Sequence, residues 1–505
     1  MRNTADERLR AICDLSVPTV REQAGRHEYD GIVQDLSPEG VERALSRLGG
    51  AVYTDPHDEA QATATENALC VTFGELAQHR ANPLWHIKNL DLSCYDRDYA
   101  PEGERRKARR THLNAWPDAV NAALEALDRV PAPIAAATLP AARGLHYHLY
   151  DASEATRKAH ARFVTHLEDA AEHGDPSAAL GGNALTRLIS SAEACEIDLD
   201  DLASQVETER TRVRALLKDA CHRIDGHAPP KETVRRLLSD HPPAKDLVAE
   251  ARAVTKDVLA WTTASGLLPY TDGECLVGEI PPSQPWEVAT MTPAAPYESD
   301  GPSWFRVNLP APGASENEQH EWLSIFSYTT LPNIAIHEVA PGHFSHARAL
   351  RHVPTDVRRT LHSQAFTEGW AHYCEELAVE EGFRAHDPRH AVGAYRDALW
   401  RVTRLATTIG LHTGTMSLAE AEHRFTADAF LDGPAARTAA HRTLIDPGSG
   451  FNYTGGKLAI RRLRDQAKQR WGTAFTLRRF HTALLALGAP PLGVLPTVLD
   501  GGPRF

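Results

Sequence analysis

The stretch that most constrains this chain is His337-Glu338-Val339-Ala340-Pro341-Gly342-His343. Two histidines that grip one metal ion from a helix normally stand at i and i+4, because at about 100° per residue that spacing returns to the same face. Here the fourth residue after His337 is Pro341, and the next histidine comes six positions on, roughly 240° around an ideal helix. The two imidazoles converge only if the helix is broken or overwound between them. Pro341 supplies the break: it has no N–H for the carbonyl of His337, and its ring clashes with that carbonyl. Gly342 adopts backbone angles that other residues avoid. The segment therefore predicts a bulged metal helix with His337 and His343 as nitrogen donors.

A second motif, Glu368-Gly369-Trp370-Ala371-His372-Tyr373, begins 25 residues after His343. Glu368 is the expected third ligand. Two neutral imidazoles and a carboxylate suit one Zn2+ per chain and leave a position open for water; Mn2+ or Co2+ fit the same donors. Glu338, directly after the first ligand, is placed to act on that water as general base and then as proton shuttle. Glu375 lies two turns beyond Glu368 on the same face, where it is expected to accept the other ring N–H of a ligand histidine. Glu376, one step round, reads as solvated. His372 reads as a substrate contact, an alternative ligand or a polar residue of the same wall. His346, three after His343, opens a second ligand set of His343, His346 and Glu368, with His337 as shuttle; that set gives Glu338 no reason to adjoin His337. An oxyanion donor is also needed. Tyr453, beside Gly455-Gly456 at an expected helix start, and His412 are the candidates, with core packing the alternative for each. Arg404 and Lys457, with Arg401, Arg461 and Arg464, are candidate anchors for a substrate carboxylate or ordinary surface charges.

Helical periodicity fills the rest of the chain. It divides into a helical N-terminal lobe over 1–264 and a catalytic lobe over 265–505. A Pro- and Gly-rich stretch near 265–315 separates them, with short strands expected at 287–291 and 303–309. The second strand is expected either to rim the site and pair with an extended peptide or to be a plain sheet edge. Helices are expected over 101–130, broken near Pro117, and over 317–350. The charge alternation at 206–225 suggests an exposed arm or coiled pair. A net charge of −13, without a basic aromatic stripe, argues against nucleic acid. The absence of an apolar run of 18 residues, and of a signal-like start, argues against a membrane. Seven scattered cysteines without a CxxC pair point to a reducing cytoplasm, with Cys374 as a small buried residue.

These motifs resemble the bacterial family catalogued as domain of unknown function 885, zincin-like proteins related to the gluzincin metallopeptidases. The signature HExxPGH falls on His337–His343, and FxEGWAxYxExL falls on Phe366–Leu377. Softer likeness extends to Gly25–Asp30, Gly410-Leu411-His412, Asp446–Lys457 and Phe480–Gly488. Where many members carry HExxPGHH, this chain has Phe344-Ser345-His346 after His343. The resemblance implies a mainly α, gluzincin-like metallohydrolase with a large helical lobe, a small β-sheet rimming a deep groove, and a zinc site. The expected activity is hydrolysis of an amide bond in a small peptide-like substrate, in the manner of an exopeptidase or dipeptidase. The rivals are a metal-dependent enzyme of specialised metabolism acting on a non-peptide by amide hydrolysis, elimination or rearrangement, and a non-catalytic binding protein of the same fold. Oligomeric state is not encoded legibly.

Overall fold

Amphipathic spacing over most of the chain is realised as helix. The computed structural model describes residues 4–281, 284, 287–298, 301–431 and 433–499, and the molecule is mainly α with one small sheet. That sheet comprises β1 (Cys275–Glu279), β2 (Ala289–Thr292) and β3 (Ser303–Val307). Its order is β1-β3-β2. β1 runs parallel to β3 with Val277 opposite Phe305, and β2 runs antiparallel to β3 with Met291 opposite Phe305. Phe305 and Val307 are fully buried, as alternation in that segment predicts. β3 is central, with both edges paired, so it cannot accept a peptide strand. The edge nearest the motif is β2. β1 was not anticipated, because Gly278 interrupts its pattern. A Cβ at Gly278 would lie 3.0 Å from the Trp304 ring, so glycine there lets that ring lie close.

Six helices build the region of interest: α1 (Leu199–Ile224), α2 (Leu331–Glu338), α3 (His343–Leu350), α4 (Gln364–Glu380), α5 (Pro388–Thr413) and α6 (Pro447–Trp471). Each of α1, α4, α5 and α6 starts on a Ser or Asp side chain that accepts a backbone N–H of the first turn, satisfying a donor the helix cannot. α1 is not an exposed arm. Leu202, Val206, Val213 and Leu217 form a buried stripe on it, and it packs along α5. The largest hydrophobic core joins residues 185–258 to residues 267–498, so one core runs across position 265.

Two helix expectations fail for identifiable reasons. The helix Glu102–Ala126 passes unbroken through Pro117. Leu113, Trp116, Val120 and Ala123 bury one face of it in a second core, and that burial outweighs the proline penalty of about 3 kcal/mol. The segment 317–350 is three helices, Glu316–Ser324, α2 and α3. The first break is fixed by Thr330, whose hydroxyl donates to the Ile325 carbonyl at 2.6 Å. Among the described residues, no helix is long and apolar enough to cross a membrane.

Candidate metal centre

The break between α2 and α3 is the bulge that the histidine spacing requires. Gly342 N–H donates to the Ile336 carbonyl at 3.1 Å and Ser345 N–H to the Val339 carbonyl at 3.2 Å. Both bonds span six residues rather than four. The turn thus absorbs two extra residues, and i+6 is presented as i+4 would be. A Cβ on residue 342 would lie 1.9 Å from the His337 carbonyl oxygen, so only glycine fits. Trp370 of α4 fixes the bulge from beneath, its indole N–H donating to the Pro341 carbonyl at 3.0 Å. Cys374, fully buried, places its thiol 3.6 Å from the same oxygen.

The bulge turns His337 and His343 toward each other, ring centres 4.7 Å apart and nearly perpendicular. Nε2 of each lies 3.4 Å from Oε2 of Glu368, and the three ligand atoms all fall within 4.8 Å of one another. A 3.4 Å spacing is long for a hydrogen bond. It is the edge of a tetrahedron with metal–ligand bonds of about 2.0–2.1 Å, the values for zinc with nitrogen and carboxylate oxygen. Glu368 Oε2 is buried and has no hydrogen-bond partner, as an atom reserved for a cation would be. The donor set therefore fits a divalent metal. The side chains of His343 and Glu368 retain 15% and 21% of their exposure, which leaves the cluster approachable from one side. Burial alone would lift the Glu368 carboxyl; the imidazoles of His343 and His337 hold it well below the ordinary carboxylate value.

Glu375 orients the first ligand. Its Oε1 accepts His337 Nδ1–H at 2.5 Å, which leaves Nε2 free to bind metal. Its Oε2 accepts from Arg401 at 2.8 Å, from Asn333 at 3.1 Å and from His372 at 3.3 Å. Against the effect of burial, Arg401 and His372 hold this carboxyl far below its usual range. Asn333 was not read from the sequence, although it stands one turn before His337 on the same face; that i, i+4 relation was the available signal. Asn333 also donates to Asp397 at 2.8 Å. Glu338 meets the edge of the sheet, where the Met291 backbone N–H donates to its carboxylate, while burial raises its pKa above the ordinary value.

The remaining candidates separate. His346 packs against Phe366 at 5.3 Å, and its ring engages the Gly488 backbone. It does not join the cluster, so the ligand set of His343, His346 and Glu368 is not assembled. His372 is fully buried and tied to Glu375, not to the cluster. Tyr453 does reach it: its ring stacks on His337 at 6.1 Å, flanked by Arg401 and Arg404 at 5.3 and 5.1 Å. It stands two turns inside α6, since that helix begins at Pro447 behind Asp446. Gly455-Gly456 marks a helix crossing instead of a helix start. A Cβ on Gly456 would lie 2.0 Å from the Ala365 carbonyl oxygen, and one on Gly369 would lie 2.4 Å from Gly456 Cα.

His412 is not at the centre. It lies eight residues beyond Arg404 on α5, about 12 Å along the axis, with Nε2 3.3 Å from the Thr443 carbonyl. Lys457 is no substrate anchor either. It is fully buried and bound to Glu209 at 2.6 Å and Glu376 at 3.4 Å. Glu376, expected in solvent, is 7% exposed because Arg212, Lys457 and Arg461 converge on it. Arg464 pairs with Glu380 at 2.7 Å. Two surface hollows, one lined by Tyr53, Glu59 and Asn67 and one by Asp14, Gln34 and Arg47, lie away from the cluster, so neither is the groove expected over the metal residues.

Fold and site together define a mainly helical protein with a His-His-Glu cluster built on a bulged helix and a crossing helix. The chain belongs to the bacterial family of unknown function DUF885, whose profile matches residues 103–499. It is similar along 98% of both chains to two solved structures. One is described as "a putative lipoprotein of unknown function from Shewanella oneidensis", at 16% identity and a TM-score of 0.77. The other is described as "the putative lipoprotein from Colwellia psychrerythraea", at 17% identity and a TM-score of 0.79. These likenesses concern the fold. No curated protein matches the chain.

Proposed function

We propose that this protein is a zinc-dependent, gluzincin-like hydrolase that cleaves an amide bond in a small peptide-like substrate. The observation that carries the reading is Glu338: a carboxylate directly after His337, beside a cluster whose two His–Glu spacings match the edge of a zinc tetrahedron and whose one ligand oxygen lacks any other partner. His337, His343 and Glu368 would hold the metal, which when bound polarises water and the substrate carbonyl. Glu338 takes the proton of the attacking water and passes it to the leaving amine; its raised pKa suits a group that must both accept and return a proton. Tyr453 donates its phenolic hydrogen to the oxygen that becomes negative. Burial pushes the Tyr453 pKa up, so it stays a donor across the physiological range. Seven free thiols accord with a cytoplasmic setting.

The test is Glu338→Gln in zinc-loaded protein, assayed on a library of N-acylated di- and tripeptides. The expected result is loss of turnover by roughly 100- to 10,000-fold, with zinc content intact. Turnover equal to wild type would overturn the assignment of the base. A fully zinc-loaded wild-type protein that cleaves no member of the library would overturn the peptide reading.

A further inference from the structure

Five basic side chains lie near the cluster in sequence or space, and four of them are neutralised by the protein itself. Arg401 is held by Glu375 at 2.8 Å, Lys457 by Glu209 at 2.6 Å, Arg461 by Glu376 at 2.5 Å and Arg464 by Glu380 at 2.7 Å. Arg404 is the exception. Among the described residues it forms no ion pair, and its Nε is buried with no hydrogen-bond partner. Its guanidinium lies against two rings, 5.1 Å from the centre of Tyr453 and 5.7 Å from that of Trp400. It also donates a hydrogen bond to the Tyr453 hydroxyl, which is neutral, and the charged side chains that bear on it, Arg442 and Arg401, are both cations. A buried charge without a counter-ion is costly, and burial accordingly depresses the Arg404 pKa. Such a group persists where the missing anion arrives with a ligand.

The position says which ligand. Tyr453 stacks on His337 and packs against the Arg404 guanidinium, so a single ring links Arg404 to the ligand imidazole. Arg442, exposed on the helix Gly433–Ile445, bears electrostatically on both Arg404 and Tyr453 and extends the positive surface outward. A carbonyl held at the cluster beside Tyr453 would leave the next one or two residues of a substrate, at about 3.8 Å per residue, facing this pair. The planar fork of an arginine matches a carboxylate with two parallel hydrogen bonds.

We propose that Arg404, assisted by Arg442, binds the free α-carboxylate of the substrate, so that the enzyme removes residues from the C-terminal end. This rests on the hydrolase reading above. Arg404 acts here in binding and specificity, and Glu338 in chemistry.

The experiment pairs benzoyl-dipeptides ending in Phe, Leu, Lys or Asp with their C-terminal amides. For the zinc-loaded wild-type protein we expect kcat/KM to favour the free acid by on the order of 100-fold, with the ratio falling to within a few-fold of one in Arg404→Met and partly restored in Arg404→Lys. Equal cleavage of acid and amide by wild type, or an unchanged ratio in Arg404→Met, would overturn the proposal. Binding is measured separately by calorimetry on zinc-loaded Glu338→Gln, with and without Arg404→Met. Acid bound more tightly than amide only when Arg404 is present supports the carboxylate site even if no peptide is turned over, in which case the hydrolase reading alone fails. Acid and amide bound alike, or neither bound, would overturn the carboxylate site. Circular dichroism of Arg404→Met, with zinc content, separates a lost contact from a lost fold.

Discussion

At His337 a proton and a metal ion compete for one nitrogen. Burial and the charge of Arg401 both disfavour a charged imidazole, yet the carboxylates of Glu368 and Glu375 carry its pKa up to about 9. Below that value the metal-free protein holds protons on both ring nitrogens, one facing Glu375 and one facing Glu368. A metal takes Nε2 and leaves only the proton shared with Glu375. Zinc binding near pH 7.5 is therefore expected to displace about one proton from His337, and this contribution is expected to vanish as the pH rises through 9. Calorimetry in two buffers of different ionisation heat counts the proton; no buffer dependence at the lower pH would contradict the role given to Glu368. The same geometry makes Glu375 the residue that sets the ring. Glu375→Gln is expected to weaken zinc binding roughly 10- to 100-fold, read by competition with a chelator. Unchanged affinity would reduce Glu375 to a partner of Arg401 alone.

At the scale of elements, the site depends on two close backbone approaches, and both are made by glycine. Gly342 lets the bulge fold back over the His337 carbonyl, and the Gly369–Gly456 contact brings α4 and α6 close enough to set Glu368 and Tyr453 around one point. Gly456→Ala would force these helices apart. It is expected to cost about 1–3 kcal/mol in denaturant unfolding and to lower zinc affinity, whereas Gly433→Ala, with nothing within 4 Å of the added carbon, should stay within about 0.5 kcal/mol of wild type. Equal effects of the two changes would mean the crossing is not tight. The contrast also marks what was legible in the sequence. The histidine spacing with its Pro-Gly break foretold the bulge, because that constraint is local. His412 and Lys457 were misplaced because their neighbours, Thr443 and Glu209, come from helices whose register against α5 and α6 no local pattern encodes. Glu376 was misread for the same reason, since its cations sit on α1 and α6. Pro117 shows the converse, a local break signal overridden by burial of Trp116 and Val120.

Across the whole molecule, the N-terminal half is joined to the metal helices through buried charge. Glu209 and Arg212 of α1 meet Glu376 of α4 and Lys457 and Arg461 of α6. Burial raises the pKa of both carboxyls, but the cations more than offset it. Arg212 and Lys457 bring Glu209 down to about 2, and Lys457, Arg212 and Arg461 bring Glu376 lower still. Folded values below the ordinary glutamate value of 4.5 fix the sign. The stabilisation is fully present above pH 4.5 and is lost as the pH falls from there through the depressed values. Lys457→Met removes a fully buried cation and leaves Glu209 and Glu376 with Arg212 and Arg461 only. Breaking such a pair costs about 3–5 kcal/mol, so a loss of that order is expected from urea unfolding at neutral pH. The deficit should shrink as the pH is lowered from about 4.5 toward about 2, because wild type then loses the same interaction by protonation. A deficit constant across that range would mean that it comes from imperfect packing of the methionine and not from the lost charge, and that α1 is held to the metal helices by packing, with charge contributing little.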